Sequence, residues 1–197
     1  MSQKLTYPGF SVVSEHLGTN QELIHQQLMK IQIAQPADAE ALADLFLSHI
    51  AAHTEYISHG EFQMGVGEGV IKDGELVARP SADARIKWLS YIRHHMSDDS
   101  LAQVWKAVGE DGGIVGFCVA DIEEDGDTPF GMVCDVLVKE DYRGHGTGDA
   151  LLQTAIGWLR SRGIRDIYLE SGRANHAAHR FFEKRGFTHI SEIYKLA

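Results

Sequence analysis

The sequence predicts an α+β domain, with a central, mostly antiparallel mixed sheet flanked by helices in the order β-α-α-β-β-β-α-β-α-β. Three observations carry that expectation. First, strand-like runs at residues 104–108, 114–122 and 130–138 are joined by Glu110-Asp111-Gly112-Gly113 and by an acidic turn at 123–127, the pattern of an antiparallel meander. Second, amphipathic helical stripes lie before and after that meander and alternate with shorter apolar runs. Third, the strand Asp135–Val138 leads through Gly144, Gly146 and Gly148 directly into a helix whose Leu151, Leu152, Ala155, Ile156 and Leu159 share one face.

Taken in order, residues 1–28 are polar, with one short helical pattern near Glu22 to Leu28, and read as an N-terminal extension to a single domain spanning 29–197. Residues 29–33 alternate as a first strand. Pro36 and Asp38 suit the first turn of a helix, because proline fits there and an acid complements the helix dipole. Leu42, Leu45, Phe46 and Ile50 form its apolar stripe. Residues 53–80 read as a long mixed loop with a small hairpin on Asp73-Gly74. Ser81 is placed to cap a second helix running to about Met96. After the meander, the glycine-led helix ends at basic residues and Gly163, the usual stop signal. Residues 166–170 form a short strand, 175–185 a helix stopped by Gly186, and 187–196 a final strand. No internal repeat or linker divides the chain.

Composition narrows the class. The 197 residues are 44% hydrophobic and 23% charged, ordinary for a globular protein. No run of 18 apolar residues suggests a membrane span, and the N-terminus lacks the apolar core of a signal peptide. Cys118 and Cys134 lie in apolar strand-like runs, which reads as reduced, buried thiols in a cytoplasmic protein. A net charge of −10 argues against nucleic acid as a partner. The charge is uneven. Residues 1–138 carry 8 Lys/Arg against 21 Asp/Glu, and residues 139–197 carry 10 against 7. The acidic part suits a cationic, amine-bearing ligand or is a solubilising surface.

The glycine-rich turn is the strongest chemical signal. Without side chains over the backbone, the N–H groups that open the following helix are accessible and lack partners within it. The helix dipole adds positive potential, and together these bind phosphate or pyrophosphate. No Gly-Lys-Ser/Thr is present for a Walker loop, and the glycine spacing does not fit Gly-x-Gly-x-x-Gly. The spacing that does fit is Arg-x-x-Gly-x-Gly at Arg143, Gly146 and Gly148, after an apolar strand ending in Val138. This resembles the pyrophosphate loop of the GNAT superfamily of coenzyme A-dependent N-acetyltransferases. A second motif is similar to that family's Asn-x-x-Ala-x-x-Phe-Tyr helix, at Asn175, Ala178, Phe181 and Phe182, followed by Gly186 and Phe187.

The resemblance, which covers about residues 29–197, implies the GNAT fold and an acetyl-coenzyme A-dependent N-acetyltransferase with no metal. It implies direct acetyl transfer to a primary amine, and the acidic part of the chain favours a small, cationic acceptor. Alternatives are a protein or peptide N-acetyltransferase, or a non-catalytic acyl-coenzyme A sensor. Val136, Leu137 and Val138 would pair with the pantetheine arm, and a backbone N–H there, Leu137 or Val138, would face the thioester oxygen. Arg143, Gly144, His145, Gly146, Thr147 and Gly148 would hold the pyrophosphate, with Asn175 and Phe182 beside the coenzyme. A homodimer is also a family habit. One departure stands out: the family often has tyrosine, the proposed acid for the leaving thiolate, where this chain has Phe182. Phenylalanine cannot donate a proton, so water, His179 or another tyrosine replaces it, or no acid is needed.

An attacking amine must lose its proton, so a base is useful. Asp135 and Glu170 are the candidates. Strand alternation would set Asp135 opposite Cys134 and Val136. The simpler roles are a hydrogen bond to nearby backbone for Asp135, and capping or ion pairing for Glu170. Glu55, Tyr56, His59, Glu61 and Phe62 lie in the loop expected on the acceptor side, where they contact the amine or form a solvated surface. His49 and His53 have metal-ligand spacing, but His49 falls on the apolar face and no third ligand is evident. Cys118 and Cys134 could face each other across adjacent strands.

Overall fold

The computed structural model describes residues 29–97, 101–124, 126, 128–194 and 196. The extension over 1–28, with its helical pattern, lies outside these residues. In chain order the elements are β1 (Lys30–Ile33), α1 (Ala39–Ala52), α2 (His59–Gln63), β2 (Gly67–Lys72), β3 (Glu75–Pro80), α3 (Ala84–His95), β4 (Ala102–Val108), β5 (Ile114–Glu123), β6 (Phe130–Val138), α4 (Thr147–Ser161), β7 (Ile167–Leu169) and α5 (His176–Glu183). The main sheet has the order β1-β4-β5-β6-β7, antiparallel except for the parallel β6–β7 pair.

Each face of the sheet has its own core. On one side, α1 and α3 bury Leu42, Phe46, Ile50, Trp88 and Ile92 against Val104, Phe117 and Val119. Phe46 stacks on Trp88 at 4.7 Å between ring centroids. On the other side, α4 lays Leu151, Leu152, Ala155 and Leu159, all fully buried, over Cys118, Ala120 and Val133. Burying each leucine there is worth roughly 1.5–3 kcal/mol. The fit is close: a Cβ on Gly131 would come within 2.7 Å of Leu159.

Residues 53–80 are more ordered than the sequence suggests. Ser58 and Glu61 form a capping box that starts the short α2. The hairpin extends from Gly67 to Pro80, with Asp73 and Gly74 both at positive φ (53° and 81°), as a type I′ turn requires. Ser81 does not cap α3. Its hydroxyl donates to the Gly65 carbonyl at 2.7 Å, and Asp83 holds the N-cap position without a side-chain cap bond.

The final strand is not formed: the described residues of 187–196 have no regular structure, and Ile190, Ile193, Tyr194 and Leu196 are exposed. Phe187, Ile190, Ile193 and Leu196 recur every third residue, so neither face of a strand would gather them.

Two irregularities in β6 create the site. Its pairing with β7 covers only Gly131, Met132 and Val133, so the half from Cys134 to Val138 has no strand beside it on that side. Its register with β5 slips between Val119 and Ala120, where Val133 and Asp135 oppose consecutive residues and Cys134 is the extra one. This is a β-bulge.

Candidate functional site

The bulge changes which way side chains point. Cys134 packs with the α1/α3 core, and Asp135 accepts a 2.7 Å hydrogen bond from the Tyr91 hydroxyl on α3. The two consecutive residues therefore share a face, against the alternation expected for a regular strand. Cys118 belongs to the opposite core, so the two cysteines do not face each other. Burial pushes both thiols well above their usual range, and neither is poised as a nucleophile.

The unpaired half of β6 offers backbone groups in alternation. Lys139 N–H donates to Val115 O on β5 at 2.8 Å. Two residues back, Leu137 has the same orientation, and its carbonyl lies 2.7 Å from where a Cβ on Gly116 would sit. Leu137 is thus turned toward β5, which removes its N–H as the expected donor to a thioester. Val136 and Val138 are turned the other way, into the gap left by β7. The Val138 carbonyl accepts from Arg143 Nε at 2.9 Å.

Beyond β6 the chain makes a 3-10 turn at Glu140–Tyr142 and then the glycine segment. Gly144 and Gly146 have φ of 80° and 83°, and Gly146 is the N-cap of α4 with no side chain capping the first turn. A residue with a Cβ is strained at such angles, so the open helix start depends on these glycines. Thr147 is buried and its hydroxyl donates to the Tyr142 carbonyl. Gly148 faces Phe181 of α5, whose ring lies 3.5 Å from a Cβ placed there. Asn175 caps α5 by accepting from Ala178 N–H, and Phe182 packs between Phe181 and Phe187. His179 Nε2 is bonded to the Gly172 carbonyl at 3.0 Å.

A cavity of about 150 Å³ opens between α1 and the end of β6, lined by His49, His53, Leu137, Val138, Lys139 and Arg143 among others. Burial, with help from the Arg143 and His53 charges, lowers the His49 pKa to about 4. The ring is neutral, and its Nδ1 faces Arg143 at 3.4 Å. His49, His53 and Tyr56 form a contiguous set of rings. His59 is instead drawn to Glu170, at 3.5 Å, so the three histidines do not converge on an ion.

The expected acceptor loop is tied to the end of β7. Glu170 accepts from Gly60 N–H at 3.1 Å as well as facing His59. That is the capping and ion-pairing role. A Cβ on Gly172 would lie 2.6 Å from the Tyr56 carbonyl. Glu55 is exposed and pairs with His53, Glu61 holds Ser58, and Phe62 packs against the hairpin at Gly69.

Asp135 is the unusual carboxylate. Burial raises its pKa to about 7, the Tyr91 hydrogen bond opposes that rise, and the Glu61 charge adds to it. Behind Tyr91, His95 Nδ1 faces the Tyr91 carbonyl at 2.9 Å and Nε2 faces Asp121 Oδ2 at 3.2 Å. Both ring nitrogens meet oxygen acceptors, an arrangement that favours the imidazolium. Burial disfavours that charge, but Asp121 and the carbonyl outweigh it and raise the His95 pKa. With Cys134, the His95 and Asp121 donor atoms lie within 4.8 Å of one another. Sequence reasoning missed Tyr91, His95 and Asp121. The only available signal was the i, i+4 spacing of Tyr91 and His95 on one helix face.

The comparisons with known proteins agree with this geometry. The chain is 31% identical over 78 residues to N-alpha-acetyltransferase 30 of Schizosaccharomyces pombe, covering 40% of this chain and 51% of the relative. It therefore spans about half the length of that relative. A solved structure of a predicted acetyltransferase with acetyl-CoA from Clostridium acetobutylicum superimposes with a TM-score of 0.63 at 16% identity, over 86% of this chain and 96% of that one. The structure of AAC(6')-Iy with the bisubstrate analogue CoA-S-monomethyl-acetylneamine gives 0.59 at 15% identity, over 86% and 97%. These likenesses establish the fold. The profile described as "Acetyltransferase (GNAT) family" matches residues 71–187, from the hairpin through the glycine loop to the end of the asparagine-capped helix. With well over half of its length matched, the chain belongs to the GNAT acetyltransferase family.

Proposed function

We propose that this protein is an N-acetyltransferase that uses acetyl-coenzyme A as cosubstrate and transfers the acetyl group directly to the primary amine of a small, cationic acceptor. The observation that carries this reading is Asp135, a part-buried carboxylate whose pKa desolvation raises to about 7, set in the unpaired half of β6 against the Tyr91 hydroxyl. A base is most effective when its pKa lies near the working pH.

The residues fit the cosubstrate. Arg143, Gly144, His145, Gly146, Thr147 and Gly148 hold the pyrophosphate through the open helix start. Val136 and Val138 present backbone groups to the pantetheine arm. Asp135 takes the proton of the acceptor ammonium, and the freed amine lone pair forms a bond to the thioester carbon. The N–H of Val136, rather than that of Leu137, donates to the oxygen as negative charge builds there, usually the largest single contribution to such catalysis. The C–S bond breaks, and the thiolate leaves with its electron pair. Phe182 cannot protonate it and His179 is tied to Gly172, so water relays to the thiolate the second proton that the acetylated nitrogen sheds as the amide forms. Glu61 and Asp135 put two acidic groups close enough to interact on the α3 side of β6, which favours a cation over a neutral or acidic acceptor.

A peptide α-amine is the second reading, favoured by the similarity to N-alpha-acetyltransferase 30. Thiol release from acetyl-coenzyme A, measured across polyamines, aminoglycosides, amino acids and peptides, decides between them. Turnover on a small polycation and none on peptides is the expected result. Coenzyme binding with no turnover on any amine would overturn the enzyme reading.

A further inference from the structure

We propose that Tyr91 is a positioning residue for the reaction, its hydroxyl holding the Asp135 carboxylate in place as proton acceptor while His95 and Asp121 lock Tyr91 from behind. The inference rests on the reading of Asp135 as the base.

The geometry is specific. The Tyr91 hydroxyl has one proton, and Asp135 Oδ2 receives it at 2.7 Å. Burial first, and then the Asp135 charge, raises the phenol pKa well above its usual range, so Tyr91 remains a donor and does not take part as an acid. The His95 ring lies 4.3 Å from the Tyr91 ring and bonds the same residue's carbonyl, one helical turn away. Its other nitrogen reaches across to Asp121 on β5. Helix α3 is thereby pinned to β5 through His95 and to β6 through Tyr91, with the bulge holding Asp135 at the junction. The other Asp121 oxygen is buried with no protein hydrogen bond within the usual distance among the described residues, and the Cys134 thiol interacts with the same carboxylate.

The groups facing Asp135 act in known directions. Tyr91 and His95 from α3 favour the carboxylate, and Glu61 from α2 and Asp121 from β5 oppose it. Cys134, beside Asp135 on β6, is held as the thiol. Removing the Tyr91 hydroxyl leaves burial and the two acids unopposed except by His95. Asp135 then keeps its proton to higher pH, and its side chain is free to turn.

The test is the pH profile of kcat/KM with one fixed acceptor, for the wild type, Tyr91→Phe, His95→Gln and Asp135→Asn. The wild-type acid limb is expected near the Asp135 pKa of about 7. Tyr91→Phe should move that limb up by about one unit, so that the rate below it falls about tenfold and largely recovers at alkaline pH. His95→Gln should move it the same way by less. An equal loss at every pH in Tyr91→Phe, or an unmoved limb in a folded variant, overturns the inference. Should Tyr91→Phe not fold, an unmoved limb in His95→Gln overturns it alone. Asp135→Asn separates the two levels: if it is inactive while the limbs stay put, only the positioning role fails, and if it is fully active, the base reading itself fails.

Discussion

The two sides of β6 solve different problems with different parts of the chain. Toward α4 the site is made of backbone: outward-facing groups of Val136 and Val138, and a helix start left open by Gly144 and Gly146. Toward α3 it is made of side chains: Asp135, Tyr91, His95, Asp121 and Glu61, drawn from four elements. The first side comes from one continuous segment and suits a ligand that every member of a family shares. The second is assembled across the fold and suits the ligand that differs between members. The gap in pairing with β7 and the bulge at Cys134 serve both sides at once, because one exposes the backbone edge and the other turns Asp135 inward.

Substitutions sharpen this contrast, and the largest effect is expected at Asp135. Asp135→Asn should lower kcat by about 10²–10⁴-fold, the usual contribution of a general base, with coenzyme affinity by calorimetry unchanged. An equal loss of coenzyme binding would merge the two sides and break the comparison. The same variant carries a stability signature. A carboxylate whose folded pKa is raised costs stability as pH rises through that value. Asp135→Asn should therefore melt above the wild type at pH above about 7, and that advantage should vanish in acid, below the unfolded carboxylate pKa of about 3.9.

On the backbone side, Gly146→Ala forces a Cβ into a left-handed conformation that costs roughly 1–2 kcal/mol. Coenzyme affinity should fall by about tenfold, with the Asp135 limb of the pH profile unmoved. Gly172→Ala drives a Cβ against the Tyr56 carbonyl. The expected result is a higher KM for the amine and a stability loss of about 1–3 kcal/mol, with coenzyme affinity retained. Glu170→Gln should do least. Gln keeps an acceptor for Gly60 and loses only a half-exposed pair with His59, so stability should shift by less than about 1 kcal/mol and the rate by little. A collapse of kcat here would restore Glu170 as a base.

Legibility followed the same division. The helix stripes, the meander and the glycine loop could be read directly, because each depends on neighbours within a few residues. The Leu137 donor could not be assigned correctly, since the direction of an N–H is set by register with β5 rather than by the residue itself. The placement of Asp135 opposite Cys134 failed at the bulge, which has no sequence marker here. Ser81 has the residue type of a cap, but its hydroxyl is taken by the Gly65 carbonyl. The strand expected over 187–196 had apolar residues but the wrong period. Tyr91 is not legible as a site residue, because an apolar helix face containing a tyrosine gives no hint of the carboxylate it meets.

By itself, then, the sequence determined the order of the main-sheet strands and long helices from β1 to α5, the two amphipathic faces of the sheet and the glycine-rich turn, all properties of local periodicity and of backbone freedom at glycine. Tertiary structure alone decided which carboxylate is desolvated against Tyr91, which backbone groups face the gap, and that Glu170 serves the loop. Those outcomes depend on desolvation and on hydrogen bonds between residues as far apart as Gly60 and Glu170 or Tyr91 and Asp135. Such forces act between positions that only the packed sheet brings together.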